Sequence, residues 1–403
     1  MKKLKEVSNT AIKNGIVDEN KIIMIHNSNN LKEDFYTYAT NFRQSAWLVA
    51  NEMVEGNDIS KLDTMFFPLT FLYRHSLELI LKAIAFKYIE NSDERMLFLE
   101  KTFHNLSSIL EIIEPFIKEL IMANKDGYQW VKQFLSSMSV VDKESDSFRY
   151  PFRICKDEIT KSLRVERVFE KQNHINLINL VNKMEITFGI LESYYVGDKT
   201  EINEYESFNP IFLEEGGTYY GQSVVGFRYN RADFYLYTCA YERTANHLYT
   251  KLNTESNKVE SLFFPLCYLY RNALELSLKD IVFELYPSGK ALELIVDKKH
   301  SVWKLWDCIE KGVKEHSSSL ENDGIILNYR NLIRELHDYD ATADKFRYPI
   351  DKRLKPYFEL KKRYNVESFN SFFNEILGFL SGVSSMISHH NEMLAEYERE
   401  MRN

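Results

Sequence analysis

Phe66-Phe67-Pro68-Leu69-Thr70-Phe71-Leu72-Tyr73-Arg74-His75-Ser76-Leu77-Glu78-Leu79 returns 197 residues later as Phe263-Phe264-Pro265-Leu266-Cys267-Tyr268-Leu269-Tyr270-Arg271-Asn272-Ala273-Leu274-Glu275-Leu276. In the first copy Leu69, Leu72, Tyr73, Leu77, Ile80, Leu81 and Ile84 recur at intervals of three and four, which predicts a helix with one broad apolar face. The helices are expected over 65–90 and 261–286, with Pro68 and Pro265 in a first turn, where proline is tolerated.

Other repeats flank this pair. Asp34-Phe35-Tyr36 returns as Asp233-Phe234-Tyr235, His104-Asn105-Leu106 is matched by His300-Ser301-Val302, and Asp146-Ser147-Phe148-Arg149-Tyr150-Pro151 returns as Asp344-Lys345-Phe346-Arg347-Tyr348-Pro349. The offsets run from 196 to 199, so the copies align almost without gaps. A duplication of this kind fixes the architecture and marks the positions that matter to both halves.

Composition agrees with an all-α chain. Glycine and proline together number only 22 among 403 residues, too few turn formers for many short strands. The 27 Phe and 25 Tyr promise bulky cores. The net charge of −8 argues against a DNA-coating protein while leaving room for a local basic patch. Cys155, Cys239, Cys267 and Cys308 show no paired spacing, so neither a metal knuckle nor a disulfide framework is expected. Met1 to Gly15 lacks the apolar core of a signal peptide, and no stretch reaches the roughly 18 apolar residues of a membrane helix. A cytoplasmic protein without membrane, cofactor or metal is the expectation.

The chain divides into an N-terminal extension (1–33), a helical repeat (34–200), a linker (201–231) and a second repeat (232–403). Each repeat is expected to hold about five helices: an aromatic-rich one (34–55, 232–252), the quoted one, a third after His104 or His300, a fourth (128–140, 323–338) and a long closing one (172–196, 366–400). The Phe-Arg-Tyr-Pro element follows the fourth helix, and its proline is expected to stop any preceding helix. Two such bundles are expected to pack as a dimer fused into one chain, around a pseudo-twofold axis. The linker, with Gly216-Gly217 beside Thr218-Tyr219-Tyr220 and Val224-Val225, suits a β-hairpin. Ile22-Ile23-Met24-Ile25 occupies a comparable place before the first repeat, where a short strand can pair.

Arg74, Glu78 and Lys82 are four apart, as are Arg271, Glu275 and Lys279, so each trio shares one helix face. Two readings fit: an ion ladder, solvated or half-buried, or an anion pocket with arginine as the planar fork. Arg149 and Arg347 are candidates to cap helix ends or to bridge to Glu78 and Glu275. His104 and His300 open the third helix, where a neutral imidazole can hydrogen-bond to another helix.

One constellation is not duplicated: Tyr329-Arg330-Asn331-Leu332-Ile333-Arg334-Glu335-Leu336-His337-Asp338-Tyr339-Asp340. Arg330 and His337 are seven apart and face one way on a helix, with Arg334 between them. An imidazole can take a proton from an RNA 2′-hydroxyl, and an arginine can hold the phosphate and its growing charge. Seven residues rise about 10.5 Å, so both reach one phosphate only if Arg330 extends fully. The first repeat has Lys132 and Ser139 at these positions. Two ordinary surface residues of an amphipathic helix are the alternative. His389 and His390 read as surface residues. No phosphate-cradling glycine loop, zinc-binding His-Glu-x-x-His or nucleophile elbow is present.

Glu78-Leu79-Ile80-Leu81-Lys82, the helix opening His104-Asn105-Leu106 and the Arg-Tyr-Pro turn together resemble the HEPN superfamily of small helical bundles. The second copy carries Glu275-Leu276-Ser277-Leu278-Lys279 and Arg347-Tyr348-Pro349 but departs at His300-Ser301-Val302. The resemblance covers most of both repeats. It implies a metal-independent endoribonuclease or toxin component of bacterial defence, or a member that has lost catalysis and serves as a binding or scaffold module. It also implies an active site of an arginine followed four to six residues later by a histidine, two such sites meeting at a dimer interface. Arg330-Asn331, six intervening residues and His337 lie at the loose edge of that pattern, supported by Asp338-Tyr339. Lys132 and Ser139 speak against two symmetric sites.

The first functional expectation is therefore RNA cleavage with His337 as base, Arg330 as clamp, and Asn331, Arg334 or Tyr339 in support. The stretch Lys345–Arg363 supplies positive charge for phosphates. The second is a non-catalytic module in which the repeated arginines recognise a protein partner such as an antitoxin, a nucleotide or RNA. The third is a structural subunit of a homo-oligomer.

Overall fold

The helix that carries the quoted stretch is buried on every side: all 21 residues from Phe66 to Phe86 are buried, including Arg74, Glu78 and Lys82. A helix that is apolar nearly all round belongs at the centre of a molecule, not on its rim. The expected single apolar face is corrected accordingly, and the ion ladder is not solvated.

The computed structural model describes residues 21–402 apart from 29, 57, 161, 168, 170–173, 227–233, 255–258 and 318–319. Most of the N-terminal extension, the end of the linker and Asp233 lie outside these residues. The protein is all-α: fourteen α-helices occur among the described residues, with only short antiparallel strand pairs.

In the first half, β1 (Ile22–Ile25) precedes α1 (Leu31–Glu55), α2 (Ser60–Thr64), α3 (Phe66–Tyr88), α4 (Ser92–Thr102), α5 (Leu106–Ile113), α6 (Lys118–Ala123) and α7 (Lys125–Val141). The hairpin β2 (Arg153–Lys156) and β3 (Leu163–Glu166) follows, then β4 (Ile175–Asn176) and α8 (Leu177–Val196). After β5 (Ser223–Val224) the second half runs α9 (Phe234–Thr254), α10 (Val259–Leu285), α11 (Ser288–Lys298), α12 (Val302–His316) and α13 (Leu320–Tyr339), then β6 (Lys362–Asn365) and α14 (Val366–Arg402).

The expected helices all appear, but five per repeat is too few. The short helices α4 and α11 precede each histidine. Asn105 caps α5 through the Ser108 N–H, and Ser301 caps α12 through the Lys304 N–H. Pro68 sits in the first turn of α3, as expected. Pro265 does not, because α10 begins six residues earlier at Val259 and leaves that proline inside the helix.

The linker forms no local hairpin among the described residues. Instead β5 pairs antiparallel with β4, Val224 opposite Ile175. Gly216 allows close approach: a Cβ there would lie 2.6 Å from the Ile175 carbonyl carbon. The other pairing joins β1 to β6, Ile22 opposite Asn365. The strand before each half's first helix thus pairs with the strand before the other half's closing helix.

The same exchange runs through the core. Tyr38 of α1 stacks on Phe264 of α10 at 4.5 Å, and Tyr237 of α9 stacks on Phe67 of α3 at 4.4 Å. These are duplicated positions in reciprocal contact. One continuous hydrophobic core extends through both halves.

Candidate functional site

The four-residue spacing on α3 holds Glu78 between Arg74 and Lys82. Arg74 Nη1 donates to Glu78 Oε2, and Lys82 Nζ donates to Oε1 at 2.7 Å. Arg74 also donates through Nη2 to the His104 carbonyl and faces Asp142 Oδ2 across 3.3 Å. The imidazole Nδ1 of His104 lies 3.0 Å from Glu78 Oε1. The fourth donor comes from the other half, where the Tyr348 hydroxyl donates to Glu78 Oε1 at 2.8 Å.

The second half repeats this arrangement. Arg271 and Lys279 donate to Glu275 at 3.3 and 2.7 Å, Arg271 donates to the His300 carbonyl at 2.7 Å, and its Nε faces Asp340 at 3.9 Å. His300 Nδ1 lies 2.9 Å from Glu275 Oε1. The Tyr150 hydroxyl of the first half donates to the same oxygen at 2.9 Å. Within each Phe-Arg-Tyr-Pro element the residues divide the work. Phe148 packs on Phe66 and Phe212 and Phe346 on Phe369, each in its own half, while the tyrosine crosses over.

Electrostatics sets the protonation states. Burial alone would raise the Glu78 carboxyl, but Lys82, His104 and Arg74 outweigh it and hold it well below the usual range. Lys279, His300 and Arg271 overcome burial at Glu275 in the same way. A carboxylate accepts only, so Nδ1 of each histidine carries the proton and Nε2 remains an acceptor. Burial lowers the His104 pKa against the pull of Glu78. At His300 the attraction of Glu275 is exceeded by burial together with Arg149 and Lys279, so its pKa also falls. Burial pushes the Tyr150 and Tyr348 phenols well above their ordinary value, which keeps both as donors.

Backbone strain accompanies both copies. Phe103 and Lys299, immediately before the histidines, hold φ of 45° and 53°. Ser145 and Ala343, at the entry to each Phe-Arg-Tyr-Pro element, hold 63° and 64°. Non-glycine residues pay about 1–2 kcal/mol for such conformations, which persist where surrounding structure over-determines them.

These residues converge on a cleft of about 630 Å³ lined from both halves by Lys82, His104, Arg149 and Tyr150 and by Lys279, His300, Arg347 and Tyr348. Arg149 and Arg347 are only 5 % and 4 % exposed. Arg149 Nη2 donates to the Tyr150 hydroxyl at 2.9 Å, and Arg149 meets no carboxylate within ion-pair distance among the described residues. Its Nε has no partner. Arg347 pairs with Asp344 at 2.5 Å and donates to the Ala343 carbonyl, leaving Nη1 without a partner. Buried guanidinium N–H groups with unmet hydrogen bonds, on the wall of a cleft, suit an anion.

Arg149 and Arg347 therefore do not bridge to the glutamates; the hydroxyls of the neighbouring tyrosines do, while each guanidinium lies beside its tyrosine ring. Arg330 and His337 lie outside the cleft lining. Arg330 is half-exposed, faces Glu310 across 3.5 Å and stacks with Arg334 on Trp303. His337 Nδ1 is buried without a partner, and burial lowers its pKa. Asn331 is exposed, and the half-buried Tyr339 ring packs on Phe346 and under Lys345. Lys132 pairs with Glu114, and Ser139 bonds to Ser107. Of the basic stretch Lys345–Arg363, only Arg347 and Lys352 line the cleft.

Sequence reasoning gave no role to Tyr150, Tyr348, Asp142 or Asp340. Each pair stands at an offset of 198, the signal that could have found them. Among the described residues no group of three or more His, Cys, Asp or Glu side chains is placed to hold a metal ion, and no helix is long and apolar enough to cross a membrane. Comparison with known proteins gives no match to a family model, to a curated protein or to a solved structure.

Proposed function

We propose that this is an HEPN-like protein that acts on RNA, as a metal-independent endoribonuclease or toxin component of bacterial defence, and that it holds RNA phosphates in the central cleft. Its halves are two HEPN-like bundles fused as a dimer would pair, a reading supported by the reciprocal contacts of Tyr150 and Tyr348. The observation that carries the proposal is the convergence of Arg149 and Arg347, buried and with unmet N–H groups, on one cleft.

Of the imidazoles in the cleft, the atoms able to take a proton from a 2′-hydroxyl are Nε2 of His104 and of His300; outside it stands His337 with Arg330. Single-stranded RNA incubated with the protein and a chelator tests the chemistry. Loss of 2′,3′-cyclic phosphate ends in the His104→Gln/His300→Gln variant, with His337→Ala unimpaired, is expected. Loss in His337→Ala alone would move the chemistry to α13.

One observation favours a non-catalytic binding or scaffold module. Both cleft histidines are fastened through Nδ1 to buried carboxylates, as parts of a frame are. RNA binding without cleavage by the wild type would select this reading.

A further inference from the structure

The four buried cationic groups of the cleft fall into two arms, each built from both halves. In one, Lys279 of α10 lies 4.2 Å from the Tyr150 ring and Arg149 lies 5.0 Å from the same ring. In the other, Lys82 of α3 lies 4.8 Å from the Tyr348 ring and Arg347 lies 5.3 Å from it. Each arm offers a buried planar fork with an unmet N–H and a lysine whose ammonium has donors beyond its single bond to glutamate.

Both arms open into one cavity of a size that holds a dinucleotide. The wall also presents Phe103, 58 % exposed, as a stacking face for a base.

We propose that the cleft binds one molecule carrying two phosphoryl groups on a nucleotide backbone, one group on each Arg–Lys arm. This rests on the cleft being the phosphate site but not on RNA cleavage. The chemistry is shared by a free dinucleotide and by an internal step of an RNA strand.

Titration calorimetry on the full chain separates these sources. The probes are cyclic di-adenylate, cyclic di-guanylate, ten-nucleotide adenylate and uridylate RNAs, and AMP. At least one two-phosphate probe is expected to bind one per cleft, at least 100-fold more tightly than AMP. Arg149→Gln and Arg347→Gln are each expected to weaken it by about 10- to 100-fold, the span of a lost charged hydrogen bond. Arg149→Lys and Arg347→Lys should recover part of that loss, and unchanged helical circular dichroism certifies the fold of every variant. Binding of a cyclic dinucleotide without the strands identifies a free ligand and defeats the RNA proposal while sustaining this one. Binding of the strands alone identifies an RNA step. AMP binding twice per chain as tightly as the dinucleotides, no binding by any two-phosphate probe, or sensitivity to only one arginine would overturn the inference.

Discussion

Glu78 and Glu275 each gather four donors, one of them from the opposite half. Removing such a carboxylate leaves an arginine and a lysine buried together without their counter-charge. Glu78→Gln and Glu275→Gln are expected to cost about 3–5 kcal/mol in urea unfolding, the range for breaking a buried ion pair. Tyr348→Phe and Tyr150→Phe remove only a hydroxyl bonded to a charged group, so about 1.5–3 kcal/mol is expected from each. Tyr150→Phe is expected to cost the more of the two, since it also removes the acceptor of the Arg149 Nη2 bond, which Tyr348 does not provide to Arg347. A large loss from one tyrosine and none from the other would show that the halves do not depend on each other equally.

At the scale of elements, the long helices were legible because their apolar residues keep a period near 3.6 over twenty residues or more. The short helices α4 and α11 were not, being too brief and polar to show that period. The linker glycines resembled a turn because Gly-Gly marks both tight turns and close backbone approach, and only the neighbouring strand distinguishes them. The candidate site was half legible. Duplication drew attention to Arg149, Arg347, Glu78 and Glu275, but not to which half each would face. A side chain that crosses between halves leaves no trace in local spacing. Arg330 and His337 on α13 stood out because they differ between the copies. Yet α13 sets Arg330 against Glu310 and Trp303, away from the cleft.

For the whole molecule, the interlocked networks predict a stability that falls in acid. The folded pKa values of His104 and His300 lie below their ordinary value, so below about pH 6.5 the unfolded chain binds more protons than the folded one. Stability contributed by the neutral histidines is then complete above that pH and lost as pH falls through it. Glu78 and Glu275, also depressed, add a second loss once pH drops below about 4.5. Thermal melts between pH 8 and pH 4 should show Tm falling in both windows, with the upper fall reduced in His104→Gln/His300→Gln. A Tm that rises on acidification would contradict these protonation states.

The molecule-wide claim is that both halves build one phosphate site, and RNA affinity tests it most directly. Filter binding of single-stranded RNA should be compared among wild type, Arg149→Gln, Arg347→Gln and Arg330→Gln/His337→Ala at one salt concentration. At least tenfold weaker binding is expected for each of the first two variants, one from each half, and near wild-type binding for the third. Undiminished binding by both cleft variants, with loss confined to the α13 variant, would contradict that claim.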